Sequence, residues 1–123
     1  MDSGTSSLMR SCITSNLGEV RHLLERGVNV NERNSDGNNA IWLACYSNNI
    51  EILNLLFEFG GDINNQNCEG VTTLMYAASA GKIEIVRCLL ALGADATLQT
   101  KDGFTALDLA STYSIVKHLK KIA

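Results

Sequence analysis

Apolar side chains recur along the chain in short clusters with helical spacing. Leu17, Val20 and Leu24 are three and four positions apart, which places them on one face of a helix. Comparable clusters begin at Ile50 and Ile83. A glycine follows each cluster, and glycine ends helices readily because it adopts positive φ at little cost. The pattern predicts short amphipathic helices separated by glycine-containing turns.

The glycines recur at a fixed 33-residue interval. Two series show it: Gly27, Gly60 and Gly93, and Gly4, Gly37, Gly70 and Gly103. The sequence blocks around the second series also align, most clearly at residues 36–44, 69–77 and 102–110. A fixed period of this length is the signature of a repeat architecture. We predict one domain over residues 1–123, with repeats at about 1–33, 34–66, 67–99 and 100–123.

The sequence pattern within each repeat predicts a turn, two helices and an extended connection. An acid–glycine pair forms the turn. The first helix is then capped by a side-chain oxygen two residues after the glycine, from Ser6, Asn39, Thr72 or Thr105. Equivalent buried positions on that helix hold Leu8, Ile41, Leu74 and Leu107. The fourth repeat is about three residues shorter before Ile115. The first and last repeats carry polar residues at positions that are apolar in the other repeats, as expected if one face of each is in water.

A turn, two antiparallel helices and an extended finger in each 33-residue unit resemble the ankyrin repeat. The most specific phrases are Gly-x-Thr-x-Leu, Leu-Leu-x-x-Gly and Gly-Ala-Asp, at residues 103–107, 89–93 and 93–95. The resemblance covers essentially the whole chain. It implies an all-α ankyrin-repeat solenoid of stacked helix-turn-helix units with β-turn fingers. The family's Thr-Pro-Leu-His phrase is only partly kept, because its histidine position holds Met9, Trp42, Met75 and Asp108.

Composition and charge narrow the possible functions. Hydrophobic residues form 46% of the chain and charged residues 19%, as in ordinary globular proteins. Residues 34–116 carry nine acidic and three basic side chains, so they repel nucleic-acid phosphates. No apolar run approaches the roughly 20 residues that span a bilayer. The start also lacks the pattern of a secretory signal. We expect a cytoplasmic protein that binds neither nucleic acid nor membrane.

The sequence offers little for catalysis or metal binding. His22 and His118 lie about three repeats apart, and neither is placed to pair with a serine or cysteine nucleophile. The four cysteines are not in CxxC spacing, which argues against zinc. We expect two of them in the core, one partly buried and one exposed: Cys12 and Cys45, Cys88, and Cys68. We predict no enzyme and no cofactor, with a reactive thiol at the exposed cysteine as the catalytic alternative.

Recognition of another protein is the function that remains. In a stacked array, the turn tips and the exposed side of the first helices form a concave strip. Its predicted members are Asp36, Asn38, Trp42, Tyr46, Glu69, Val71, Met75, Ser79, Asp102, Phe104, Asp108 and Thr112. The candidate anchors are Trp42, Tyr46, Val71 and Phe104, because aromatic residues dominate interface energetics. For Trp42, packing between repeats is the alternative.

We predict a monomer that binds a partner protein through this concave strip. The acidic turn residues favour a partner with a basic patch. The alternative is a passive module for self-assembly or stability, whose exposed faces contact only copies of itself. Residues 37–45 and 74–78 resemble, more weakly, segments of small stand-alone ankyrin proteins of the bacterial cytoplasm. The chain's size and shortened last repeat also resemble small eukaryotic four-repeat regulators.

Overall fold

The computed structural model describes residues 6–122. Gly4, which the sequence places in the first turn, and Ala123 lie outside the described residues. Within them the chain forms eight helices and no strand. The chain divides into two compact units between Asp62 and Ile63. The all-α class predicted from the repeat is therefore confirmed, and the single domain over residues 1–123 stays a prediction.

The first unit contains two helix pairs. Helices α1 (Ser7–Ile13) and α2 (Leu17–Glu25) form the first pair, and α3 (Ala40–Tyr46) and α4 (Ile50–Glu58) form the second. Helix α1 packs on α2 and α3, and α4 contacts both α2 and α3. The predicted apolar faces meet in the core of this unit, where the buried side chains include Leu8, Val20, Leu24, Ile41, Leu53 and Leu56.

The second unit repeats this arrangement. Helices α5 (Thr73–Ser79) and α6 (Ile83–Ala91) form one pair, and α7 (Ala106–Leu109) and α8 (Tyr113–Ile122) form the other. Helix α5 packs on α6 and α7, and α8 contacts both α6 and α7. Its core includes Leu74, Val86, Leu89, Ile115 and Leu119.

The fourth repeat has a shortened first helix. Helix α7 has four residues, whereas α1, α3 and α5 have seven each. The backbone becomes extended at Ala110, and the Ser111 N–H then donates to the Ala78 carbonyl oxygen over 3.1 Å. Thr112 leads into α8, because its Oγ1 accepts from the Ile115 N–H. The predicted shortening before α8 is confirmed.

Local capping chemistry sets where the helices begin and end. In all four first helices the predicted capping oxygen accepts a backbone N–H three residues later, in the pairs Ser6–Met9, Asn39–Trp42, Thr72–Met75 and Thr105–Asp108. The predicted terminating glycines Gly27, Gly60 and Gly93 have φ of 88°, 90° and 93°. These angles favour glycine, since it has no Cβ to clash with the backbone.

Asparagine side chains fasten consecutive extended segments to each other. In the first unit, Asn31 Oδ1 accepts from the Asp62 N–H at 2.6 Å, and Asn31 Nδ2 donates to the Gly60 carbonyl oxygen at 3.1 Å. In the second unit, Asn64 Oδ1 accepts from the Asp95 N–H at 2.7 Å. The spacing of these segments is therefore set by side-chain hydrogen bonds, without a strand ladder in the described residues.

Candidate functional site

The turn tips of the second, third and fourth repeats are each closed by a polar side chain that was not among the predicted site residues. At the second repeat, Asn34 Oδ1 accepts from the N–H groups of Asp36 and Asn38, at 3.0 and 3.1 Å. Asn67 and Thr100 hold the equivalent position and close the next two tips through their own side-chain oxygens. The available signal was the recurrence of these three residues at the 33-residue interval.

The two tips of the second unit are tied directly together. The Lys101 N–H donates to the Glu69 carbonyl oxygen at 3.1 Å. Gln66 Nε2 donates to the carbonyl oxygens of Gly70 and Gln99, at 3.1 and 2.9 Å. Gly70 has φ of +80°, and a Cβ there would lie 2.9 Å from the Lys101 nitrogen. Only glycine allows this close approach of the two tips.

These tied tips present apolar side chains beside carboxylates. Phe104 is 49% exposed although it is a large apolar residue. Val71, at the equivalent position one repeat earlier, is half-buried. Glu69 and Asp102 are both exposed on the same two tips. The second unit thus brings together four of the predicted concave-strip residues, with an apolar centre and acidic neighbours.

The first unit presents a separate aromatic face. Tyr46, at the end of α3, is 59% exposed, Trp42 is half-buried, and Asp36 is exposed on its tip. Ile13 occupies the same repeat position as Tyr46 and is 44% exposed. Its carbonyl oxygen accepts from Ser47 Oγ at 3.0 Å, which places the ends of α1 and α3 side by side. The sequence analysis missed Ile13, although its equivalence to Tyr46 one repeat later marked it.

Two predicted members of the concave strip are buried, so their expected exposure was wrong. Asn38 is 8% exposed and lies in the closed turn, where its N–H and its carbonyl oxygen are both hydrogen-bonded to Asn34. Met75 is 1% exposed. Its Sδ accepts from the Thr72 N–H at 3.3 Å, which folds the side chain back onto the first turn of α5. Neither side chain faces solvent.

The remaining members, Ser79, Asp108 and Thr112, are exposed. Two of them also have local roles. Asp108 Oδ2 accepts from the Thr105 N–H and Oγ1, at 2.9 and 3.1 Å, which completes the cap of α7. Thr112 leads into α8 as described above. Ser79 is the last residue of α5, and its position gives the least indication of a role in binding.

Comparison with known proteins decides the family. A family model described as ankyrin repeats, in three copies, matches residues 1–67 and 51–123. The chain belongs to the ankyrin-repeat family. No curated protein matches the chain. Ankyrin repeats are generally modules for protein–protein interaction, and the family is typically non-catalytic.

The cysteines of this ankyrin-repeat chain lie where the sequence analysis expected them. Cys12 and Cys45 are buried, Cys88 is half-buried and Cys68 is exposed, and all four are thiols rather than disulfides. Burial raises the pKa of Cys12 to about 12 and also raises the pKa of Cys88. A thiol must ionise to act as a nucleophile. The two cysteines with raised pKa are therefore unsuited to that role at neutral pH.

Histidines and carboxylates form no metal-binding cluster within residues 6–122. His118 Nε2 accepts from Arg87 Nε at 3.2 Å, and the same arginine pairs with Glu84 at 2.8 Å. These contacts lie on the exposed side of α6 and α8 and stabilise helices. Across the same part of the chain, none of the helices is both long and apolar enough to cross a bilayer.

Proposed function

We propose that this chain is a non-catalytic module that binds a partner protein through its turn tips and the exposed side of its first helices. The observation that carries the proposal is Phe104. Its ring is 49% exposed on a tip whose backbone is fixed by hydrogen bonds to Thr100. A rigid, exposed aromatic side chain is typical of an interface anchor.

Exposed carboxylates outnumber the one exposed cation, Lys101, on these two tips, and this favours a partner with basic residues. Glu69 and Asp102 are exposed next to Val71 and Phe104, and Asp36 is exposed on the tip of the first unit. We expect a partner with an apolar pocket surrounded by lysine or arginine. Complementary charges of this kind raise the association rate more than they raise the affinity. We further propose that the chain works as a cytoplasmic monomer, without a cofactor, nucleic acid or membrane.

Affinity capture from a native lysate tests the tip surface directly. The parent chain is compared with Phe104→Glu and with the matched control Phe59→Glu, whose ring is 40% exposed at the end of α4. We expect one protein to be retained by the parent and by the control, and lost from Phe104→Glu. All three chains should unfold at similar temperatures, because neither ring is part of the buried core. Equal retention by all three would place the interface elsewhere.

Self-assembly is the alternative that the exposed apolar residues also permit. Ile13, Tyr46 and Phe104 are the kind of side chains that copies of one chain can bury against each other. Sedimentation equilibrium over a wide concentration range separates the two functions. A mass that stays at 13.3 kDa supports heterologous binding. A mass that rises with concentration, and returns to that value in Phe104→Glu, would establish the passive module instead.

A further inference from the structure

A half-enclosed groove of about 600 Å³ lies within the second unit, and none of the concave-strip residues lines it. Its lining is largely apolar and includes Leu90, Ala96, Leu107 and Leu119. Asp95 and Thr97 are polar members of the same lining. A groove of this size is in the range of specific ligand sites. It is separate from the surface proposed above.

The groove exists because the third repeat carries an alanine where the earlier repeats carry larger aliphatic residues. Val30 and Ile63 hold the position of Ala96 in the first and second repeats, and both are buried. Replacing a branched side chain by alanine leaves the space of several carbon atoms unfilled. Leu107 is half-buried, although Ile41 at the equivalent position is fully buried. The groove therefore has room for a branched aliphatic side chain.

The first unit shows what covers the residue at the position equivalent to Leu107. There the extended segment through Gly61 lies against Ile41 and the end of α4. A Cβ at Gly61 would lie 2.8 Å from both Ile41 Cδ1 and the Leu56 carbonyl oxygen. An extended backbone is thus in close contact with the residue that corresponds to Leu107. Among residues 6–122, Leu107 is less enclosed than Ile41.

The polar lining of the groove includes a hydrogen-bond acceptor at the repeat position where the first and second repeats also carry one. Asn31 and Asn64 each accept the N–H of the next extended segment. Thr97 occupies the equivalent position one repeat after Asn64. Its hydroxyl donates to Asp95 Oδ1 at 2.6 Å and keeps lone pairs that can accept an N–H. An extended segment laid in the groove would meet this hydroxyl.

Charge selects among possible segments. Asp95 is exposed, and hydrogen bonds from the Thr97 hydroxyl and N–H hold the pKa of its carboxyl below the ordinary value. The carboxylate is therefore ionised at neutral pH. A lysine or arginine beside the inserted side chain complements it, whereas an acidic residue would be repelled.

We propose that this groove binds an extended segment of a partner protein, which inserts one branched aliphatic side chain between Ala96 and Leu107 and carries a basic residue facing Asp95. The open side of the groove suits a continuous peptide better than an enclosed small molecule. The occupied equivalent in the first unit is itself an extended backbone. The proposal stands independently of the tip surface.

A labelled peptide tests it: acetyl-Gly-Ser-Lys-Ile-Lys-Asn-Gly, with an Ile-to-Asp peptide as control. Binding is followed by fluorescence anisotropy and by NMR shifts of the Leu90, Leu107 and Leu119 methyl groups. We expect saturable binding and shifts at all three leucines. The Asp peptide should bind at least about tenfold more weakly, since burial of the aliphatic side chain is lost.

Ala96→Ile is the decisive protein variant, because it restores the aliphatic residue of the earlier repeats and fills the groove from within. It should fold at least as stably as the parent and weaken peptide binding at least about tenfold. Ala91→Ile, the same change at an exposed site on α6, should bind like the parent. Phe104→Glu should also bind like the parent, which keeps this test separate from that of the tips.

Three results would overturn the proposal. The first is equal affinity of the parent and Ala96→Ile for the peptide. The second is the absence of saturable binding and of leucine methyl shifts at millimolar peptide. The third is binding of a small apolar dye in the groove without binding of the peptide, which would make it a small-molecule site.

Discussion

The third and fourth repeats lie in the same unit and cap their first helices with different chemistry. In the third, Met75 Sδ accepts from the Thr72 N–H, and the methionine is 1% exposed. In the fourth, the Asp108 carboxylate accepts from the Thr105 N–H, and the aspartate is exposed. Both residues stand at the family's histidine position. In these two repeats the side chain at that position accepts the N–H of the capping threonine, with a buried thioether in one and an exposed carboxylate in the other.

The same contrast extends to neighbouring positions. Leu74 is 1% exposed, whereas its equivalent Leu107 is half-buried beside the groove. Gly70 is crowded by the next turn tip, whereas nothing lies within 4 Å of a Cβ placed at Gly103. Two repeats with nearly the same sequence pattern therefore differ in how much each position tolerates change.

Exchanging the two capping residues should give the largest difference in stability loss between the third and fourth repeats. Met75→Asp buries a carboxylate without a cationic partner and should lower the free energy of unfolding by about 3–5 kcal/mol. Asp108→Met removes an exposed cap interaction and should cost about 1 kcal/mol. Urea unfolding followed by circular dichroism measures both. Equal costs would mean that burial does not govern this position.

Truncation of the paired leucines should give a smaller difference of the same sign. Leu74→Ala leaves a cavity in the core and should cost about 3 kcal/mol. Leu107→Ala should cost about half as much, since its side chain is already partly solvated. The same unfolding measurements apply. A larger loss at Leu107 would show that the groove is more tightly packed than its lining indicates.

Substituting alanine for Gly70 and for Gly103 isolates the effect of the hydrogen bonds that tie the two tips. Both glycines have positive φ, so Gly103→Ala should lower the free energy of unfolding by about 1 kcal/mol through the Cβ alone. Gly70→Ala should cost about 2–3 kcal/mol, because the Cβ also displaces the Lys101 backbone. Similar losses at the two sites would indicate that the tips separate easily. Thermal unfolding of the two variants is sufficient to compare them.

The smallest expected effect concerns Asp95 in the third repeat, which a threonine supports much as Thr105 supports Asp108. Thr97→Val removes the hydroxyl and should raise the pKa of the Asp95 carboxyl toward its ordinary value of 3.8. Because the folded-state pKa is lowered, this group stabilises the fold above that ordinary value, and the contribution is lost as the pH falls through the folded-state pKa. NMR titration of the Asp95 carboxyl carbon checks the direction. An unchanged titration in Thr97→Val would contradict the assigned cause.

Features that depend on local backbone could be predicted from the sequence. The four first-helix caps and the terminating glycines were confirmed, because a cap and a positive φ involve only a few consecutive residues. The shortened fourth repeat was confirmed for a related reason, since the missing residues change the spacing between aligned positions. A strict 33-residue period supplies this information directly.

Side-chain exposure could not be predicted in the same way. Asn38, Val71 and Phe104 share one repeat position, yet they are buried, half-buried and exposed. The same hydrogen bonds close all three turns, so the exposure depends on neighbouring side chains that the repeat pattern does not show. Met75 was misplaced because the sequence does not show that a thioether replaces the histidine as acceptor. Predicting the groove at Ala96 would also require knowing which side chains lie opposite that residue.

The Gln66 amide, which joins the third and fourth turn tips, has a consequence for binding thermodynamics. Because both tips are already immobilised by this amide and by the Lys101 N–H, docking should sacrifice little conformational entropy. Association then approaches rigid-body encounter, and substitutions of the apolar tip residues should change complex lifetime more than encounter rate. The Gln66 amide and the Lys101 N–H together would thus let the acidic, aromatic surface meet its partner as a preformed template.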